Sequence, residues 1–454
     1  MNSELIQKYN VPGPRYTSYP TVPYWDAEAP TIEQWSEKVK ATFDATNGGE
    51  GISIYIHLPF CERLCTYCAC NKRITVNHGV EKPYIEAVLK EWQMYLAIFK
   101  ETPRISEIHF GGGTPTFFSP ENLKFLMDGI KATSEYVEGA AFSFEGHPGN
   151  TTKEHLQTLF EAGFTRLSLG IQDFDQAVQQ IINRIQAYEE VEQVTKWARE
   201  IGYTSINFDL IFGLPKQNKN TIIDTIQKTN ILKPERIAFY SYAHVPWVKS
   251  VGQRLFTEED LPKGDEKREL YELGKKMFLD NGYVEIGMDH FTLKEDELFA
   301  AAEEKTLHRN FMGYTPSHTS LLLGLGVSSI SDTWTAFGQN VKVVEQYQKI
   351  VNSGELPIFK GHLLNDEDLF LRKQILNIMC HFETEWDVAS EYAAYMEEVR
   401  SRLREMEADG LLKSSLGRIE VTELGIPFIR NICMSLDARL WRSKPTTQLF
   451  SATV

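Results

Sequence analysis

From residue 52 to residue 242 the chain repeats one pattern, a short β-rich run followed by a helical stretch. The runs cover residues 52–58, 105–110, 142–145, 166–171, 205–212 and 236–242. Helical patterns fill 84–99, 120–131, 153–162, 189–201 and 221–230 between them. Such alternation makes neighbouring strands run parallel through right-handed crossovers. Six units predict an α/β fold built as an incomplete (β/α)6, TIM-like barrel. A closed eight-unit barrel shares the same grammar. In either, the chemistry gathers where strands end and loops begin.

The pattern divides the 454 residues into three parts. Residues 1–45 are expected to form an N-terminal arm lying on the main domain. Its segment Gly13-Pro14-Arg15-Tyr16-Thr17-Ser18-Tyr19-Pro20 is too rich in glycine and proline for a regular element. Residues 46–290 hold the partial barrel. Beyond about residue 290 the rhythm is lost, and 291–454 are expected to be a mainly helical C-terminal domain. Helical patterns over 366–410 lead through Asp409-Gly410 to a short run at 418–421 and a last helix near 424–436, a winged-helix-like end.

No apolar run approaches the ~18 residues that a membrane span needs, and residues 1–9 carry no apolar signal region. A cytoplasmic protein without a membrane partner is expected. A net charge of −15 argues against nucleic acid, whose phosphates need basic patches. An anionic small molecule stays compatible with it, because a pocket can be locally basic. A monomer is the expected oligomeric state.

Of six cysteines, four fall within Cys61-Glu-Arg-Leu-Cys65-Thr-Tyr-Cys68-Ala-Cys70, just after the first strand. Clustering in a chain of this size points to metal or redox chemistry rather than a disulfide scaffold. The spacing wraps one loop around a single centre, with the thiolates of Cys61, Cys65 and Cys68 turned inward. Iron–sulfur clusters are usually held by four cysteines, so three ligands to a [4Fe–4S] cube leave one iron for an exogenous group. S-adenosylmethionine (SAM) can fill that position through its amino and carboxylate groups. A zinc site using all four cysteines fits less well, because zinc prefers two pairs separated by a long insert.

Other unusual residues fall at strand ends. Gly111-Gly112-Gly113-Thr114 follows the second run, where glycines allow a ligand to approach the backbone, or merely a tight turn. Glu145 ends the third run, as a ligand-facing carboxylate or a solvated loop acid. Gln172 ends the fourth, and Arg184 follows it. Asp209 lies between Phe208 and Leu210, where an unpaired acid is costly to bury. Arg184 is a candidate partner, in a ligand site or in a core salt bridge. His57 and Tyr55 alternate along the first run, and a strand histidine is more often structural than catalytic.

The motifs together resemble the oxygen-independent coproporphyrinogen III oxidase family of radical SAM enzymes. The resemblance rests on Tyr55-Ile-His-Leu-Pro-Phe-Cys61, the cysteine loop, the Gly13–Pro20 segment and Gly111–Pro115. It continues through 166–174, 209–215, Tyr242-Ala-His244, Gly287-Met-Asp-His-Phe291, His308-Arg-Asn-Phe311 and Arg430-Asn-Ile-Cys-Met434. It implies a radical SAM barrel in which the reduced cluster cleaves SAM to a 5′-deoxyadenosyl radical. The radical removes hydrogen from a propionate β-carbon; loss of carbon dioxide and an electron leaves a vinyl group. Two propionates react, converting coproporphyrinogen III to protoporphyrinogen IX.

The resemblance further implies two SAM molecules and an electron donor such as flavodoxin or ferredoxin. The cluster-bound SAM would touch Tyr55, Gly112, Glu145, Ala243 and Ile330. The second would touch Tyr67, Gly113, Thr114, Gln172, Arg184 and Asp209. Cys70 belongs to the pattern without ligating the cluster. On the substrate side the candidates are His57, Arg15 and Tyr19, the last two in an arm that would close over the porphyrinogen. The chain departs from the family pattern at His147, Gly149 and Met312. The alternative readings are a haem chaperone and a haem-modifying radical SAM relative, which share the cysteine loop; the Gly13–Pro20 segment, Cys70 and the 430–434 segment favour the oxidase.

Overall fold

A computed structural model describes residues 3–26, 28, 30–245, 253, 256–443 and 449–453. Strands β1 (Ile52–Leu58), β2 (Arg104–Gly112), β3 (Glu135–Gly146), β4 (Phe164–Gln172), β5 (Ser205–Phe212) and β6 (Arg236–Ser241) lie side by side in chain order, all parallel. Helices Glu81–Ile98, Pro120–Lys131, Lys153–Glu161, Tyr188–Ile201 and Lys219–Leu232 connect them. This is the incomplete six-unit barrel that the alternation predicts. β3 begins well before residue 142, through a polar stretch that pairs with Arg104 and Ile105 and that no apolar pattern marks.

Strand pleating decides what each side of the barrel carries. Ile108 and Phe110 of β2, Leu167 and Leu169 of β4, and Ile206, Phe208 and Leu210 of β5 are buried in one core with Leu126, Leu159, Val194 and Ile226 of the helices. The intervening residues are mostly polar. Glu107 and His109, Ser143 and Glu145, Arg166 and Ser168, Asn207 and Asp209, and Arg236 and Tyr240 line a central cavity of about 620 Å3. The barrel interior is therefore a chamber, unlike the packed centre of a closed barrel.

Between Val284 and Leu363, ahead of the helical C-terminal region, the chain adds strands that the alternation does not mark. β7 (Val284–Ile286) and β8 (His290–Thr292) add antiparallel strands beside β6. β9 (Leu322–Leu325), β10 (Ile330–Asp332), β11 (Ala336–Asn340) and β12 (Ile358–Leu363) extend the sheet beyond β1, giving twelve strands. Helix dominates only from Asp366 onward. The added strands are short, and β11 reads Ala-Phe-Gly-Gln-Asn, yet all five of its residues are buried. Pairing on both sides stabilises a segment whose own β-propensity is weak.

A buried acid fastens this extension. Glu91, fully buried on helix Glu81–Ile98, accepts hydrogen bonds from Gly326 N–H (2.8 Å), Asn340 Nδ2 (2.7 Å) and Tyr347 Oη (2.6 Å). Burial outweighs these donors and raises its carboxyl to about 7. The folded state then holds a proton that the unfolded state releases near pH 4.5. The resulting stability is complete below that pH and is lost as pH rises through about 7. Glu91→Gln is therefore expected to gain on the wild type by roughly 2–3 kcal/mol between pH 5 and 8, read from denaturant melts at each pH. A difference that does not change with pH would show that no proton is held there.

The arm divides its contacts. Helix Ile32–Thr46 buries Trp35, Val39 and Phe43 in the barrel core. Tyr9, Tyr16 and Tyr19 instead enter a second core with helices Asp366–His381, Ala393–Ala408 and Ile429–Leu436. Tyr16 Oη donates to Asp437 Oδ2 at 3.0 Å. Half of the arm thus lies on the C-terminal helices, where large rings find apolar partners that a polar barrel rim does not offer. No helix among the described residues is long and apolar enough to cross a membrane.

Candidate active site

The site is built where β1 and β2 end. Gly113 N–H donates to Leu58 O (2.8 Å) and Thr114 N–H to Phe60 O (3.0 Å), joining the glycine turn to the start of the cysteine loop. The approach is too close for side chains. A Cβ on Gly113 would stand 2.5 Å from the Pro59 backbone, and one on Gly112, at φ +115°, would stand 2.7 Å from the His57 ring. The glycines thus let one strand end dock against the next.

Cys61, Cys65 and Cys68 are half-buried and Cys70 is exposed; all four line the cavity rim. Thr114 Oγ1 donates to Cys61 Sγ (3.4 Å), Arg184 Nη1 to Cys65 Sγ (3.7 Å), and Lys72 Nζ to the carbonyl of Cys68 (3.1 Å). Burial raises the Cys61 thiol to about 11. A hydrogen bond from Cys70 lowers Cys68, with Lys72 and Arg184 adding positive charge. Among the described residues no three His, Cys, Asp or Glu side chains converge on a single-ion site. Three thiols set around one rim, with donors and cations beside them, suit a multi-iron cluster better than one zinc ion.

The residues assigned to the second SAM all meet in this cavity: Tyr67, Gly113, Thr114, Gln172, Arg184 and Asp209 line it. Gln172, at φ +68°, closes the end of β4. Arg184 grips the Gly170 carbonyl through Nε (3.1 Å) and Nη2 (2.5 Å). Among the described residues it makes no ion pair with Asp209, so of the two readings of this pair the core salt bridge is not formed. Asp209 accepts from Ser168 Oγ (3.1 Å) and Asn207 Nδ2 (2.9 Å). Burial, then the neighbouring Glu145 charge, raises its carboxyl to about 6. Phe208 and Leu210, which make Asp209 look buried in sequence, point to the other face of the strand.

Of the residues assigned to the cluster-bound SAM, Gly112 and Glu145 line the cavity, while Tyr55, Ala243 and Ile330 lie outside its wall. Gly112 N–H donates to Glu145 Oε2 at 3.3 Å. Tyr55 Oη donates to His57 Nδ1 (3.0 Å), and its ring stacks on His109. Ala243 O accepts from Gln253, which also holds the Tyr67 carbonyl at 3.0 Å. Ile330 starts β10, and its carbonyl lies against Gly324, the residue paired with Tyr55.

The substrate-side candidates fall elsewhere. His57 stands behind Gly112, with Nε2 on the Asn71 carbonyl (2.9 Å) and Nδ1 on Tyr55. Both ring nitrogens are engaged, so it positions Tyr55 and the end of the cysteine loop rather than facing a ligand. Tyr19 is buried in the C-terminal core, away from the cavity. Arg15 reaches the rim of β6, donating to Ser241 O at 3.0 Å.

The alternation of β2, β4 and β5 carries residues that motif reading passed over. His109 bonds Ser143 Oγ (2.7 Å) and Glu145 Oε1 (3.5 Å), and Ser168 and Asn207 hold Asp209. Arg166 pairs with Glu297 (2.5 Å) and Glu107 (3.4 Å), and Arg236 with Asp296 (2.8 Å). The signal was present as polar residues at every second position between apolar ones.

Residues 55–229 match the family model described as the Radical SAM superfamily. The chain is 37% identical to oxygen-independent coproporphyrinogen III oxidase of Pseudomonas aeruginosa, over 97% of this chain and 96% of that protein. To the enzyme of the same name from Escherichia coli K12 it is 36% identical over 99% and 98%. The chain belongs to the oxygen-independent coproporphyrinogen III oxidase family. The solved coproporphyrinogen III oxidase of Escherichia coli, described as a radical SAM enzyme, superposes with a TM-score of 0.88 at 34% identity, covering 96% of this chain and 98% of that one.

The three positions expected to depart from the oxidase pattern, His147, Gly149 and Met312, all line the cavity. His147 Nδ1 accepts from Gly149 N–H at 3.1 Å. Burial, then Arg184 and Arg63, lowers His147 to about 3, so it stays neutral. Met312 N–H donates to Asn310 Oδ1 at 2.8 Å.

Proposed function

We propose that this chain oxidatively decarboxylates two propionates of coproporphyrinogen III to vinyl groups, giving protoporphyrinogen IX without oxygen in haem biosynthesis. The observation that carries this reading is the full-length likeness to coproporphyrinogen III oxidases in both sequence and fold. Cys61, Cys65 and Cys68 hold the [4Fe–4S] cluster. When bound, cluster and SAM supply the one-electron chemistry that removes a hydrogen atom from the propionate β-carbon.

The chain's own residues bind and orient. The Gly112–Gly113 backbone and Glu145 receive the amino-acid end of one SAM molecule. Tyr67, Thr114, Gln172, Arg184 and Asp209 form a second SAM site. Asp209, with each oxygen already holding one donor, keeps lone pairs for a ligand hydroxyl or ammonium. The apolar outer faces of the strands pack under the helices and leave the polar faces to line the chamber. The protein works as a cytoplasmic monomer and takes electrons from a donor such as flavodoxin or ferredoxin.

Anaerobic incubation with SAM, a reductant and coproporphyrinogen III tests this. Protoporphyrinogen IX and 5′-deoxyadenosine are the expected products. SAM cleavage with no vinyl product from any porphyrinogen would place the chain with the haem-modifying relatives instead.

A further inference from the structure

Arg309 lies in the hairpin His308–Asn310/Gly313–Thr315, directly opposite Tyr314. Its guanidinium carbon is 4.5 Å from the centre of the Tyr314 ring. The residue is only 7% exposed, yet Nε and Nη1 donate to nothing among the described residues. A buried cation without an anion is costly, and each unsatisfied buried donor in a native fold requires an explanation.

The surroundings deepen the requirement. Arg15, Arg430 and Arg309 all act on one carboxylate, Asp289, and Lys267 feels it too. The other three cations are engaged by neutral backbone. Arg15 donates to Ser241 O (3.0 Å), Lys267 to Tyr242 O (3.0 Å), and Arg430 to the carbonyls of Pro14 (2.8 Å) and Ala452 (2.9 Å). Carbonyls satisfy donors without balancing charge, and the other carboxylate near Asp289, Glu285, is already paired with Lys275. A further anion fits this balance.

Arg309 stands behind the wall of the active-site cavity, and its neighbours line that wall. Asn310 and Tyr314 line that cavity, as do Tyr240 and His290, which both feel Arg309 and Arg15. Of the guanidiniums that line the cavity, Arg166 and Arg236 are engaged by acids and Arg184 by Gly170 O, while Arg63 stands on the cysteine loop.

We propose that Arg309, backed by Arg15, is a carboxylate-binding subsite that takes a propionate of the substrate, one that keeps its carboxylate through the reaction. A cation clamped on a departing carboxylate would stabilise the ground state against loss of neutral carbon dioxide, which would slow the step. The retained propionates carry no such penalty. The assignment rests on the oxidase reading above.

The test uses cluster-loaded protein and coproporphyrin III, the oxidised tetracarboxylate, with its tetramethyl ester as a neutral control. Arg309→Gln is expected to weaken coproporphyrin III binding about 10- to 100-fold, as loss of charge-assisted hydrogen bonds implies. Arg309→Lys should recover part of that loss, and the ester should bind all three proteins alike. KM for coproporphyrinogen III should rise more than kcat falls. The Arg309→Gln melting temperature should hold or rise, because an unbalanced buried charge is removed. Equal affinity of wild type and Arg309→Gln for coproporphyrin III, with the wild type active, would sink the subsite and leave the oxidase reading intact. A lowered melting temperature with unchanged affinity would do the same. Inorganic phosphate that raises the melting temperature of the wild type alone, without displacing coproporphyrin III, would make this a separate anion site and overturn the substrate assignment. A wild type that neither binds coproporphyrin III nor converts coproporphyrinogen III would overturn the oxidase reading itself.

Discussion

Cys61→Ser, Cys65→Ser and Cys68→Ser proteins are each expected to lose the cluster, its brown absorption and all turnover, whereas Cys70→Ser is expected to keep cluster and colour. The three predicted ligands are half-buried on one rim, and two of them receive hydrogen bonds, from Thr114 and Arg184, suited to a thiolate. Cys70 is exposed, and its part is to donate toward Cys68. Serine is smaller and a poorer ligand to iron, so a single replacement removes a third of the protein's grip on the cluster. Iron and sulfide content of anaerobically reconstituted protein decides the matter, with circular dichroism to show that the fold survives. A Cys70→Ser protein without iron, or a Cys65→Ser protein with a full cluster, would refute the ligand assignment.

Asp209→Asn is expected to lower kcat/KM on the order of 100-fold, the effect of weakening two or so charge-assisted contacts to a ligand. Below about pH 4, where the wild-type carboxyl is protonated in both states, its stability should stay within about 1 kcal/mol of the wild type, because the amide is of the same size and no ion pair is broken. The pH dependence sharpens the contrast. With the Asp209 carboxyl raised to about 6 from 3.8, mainly by burial, the folded state holds a proton that the unfolded state has released. That stability is complete below the lower value and lost as pH rises through the upper one. Above pH 6 the ionised acid is therefore a burden that asparagine lacks, and the variant should melt at or above the wild-type temperature. A melting temperature that collapses at pH 7.5 while the remaining folded protein turns over normally would show that Asp209 only supports the barrel.

His57 marks where reading from motifs stops. Its place beside the cysteine loop is visible in sequence, and so is its strand. That both ring nitrogens are already bonded, to Tyr55 and to the Asn71 carbonyl, is not. Tyr19 shows the same limit from the other direction. Its segment reads as a polar lid for a polar substrate, but the ring is large and apolar. It lies in the core of the C-terminal helices, which residues some 350 or more positions later supply.

Local pattern alone determined the six parallel strands, the helices between them and the cysteine loop after the first strand. Period-two and helical periodicity, turn residues and cysteine spacing are properties of short windows, and a backbone has few ways to satisfy them. Tertiary structure decided everything that depends on which distant groups meet. It joined β9–β12 to the barrel through Glu91, gave Asp209 the partners Ser168 and Asn207 in place of Arg184, and divided the arm between two cores. It also left the Arg309 guanidinium buried with two donors unmatched. A buried polar group is stabilised by whatever donor or acceptor the fold brings within about 3 Å, and no sequence window contains that partner's identity.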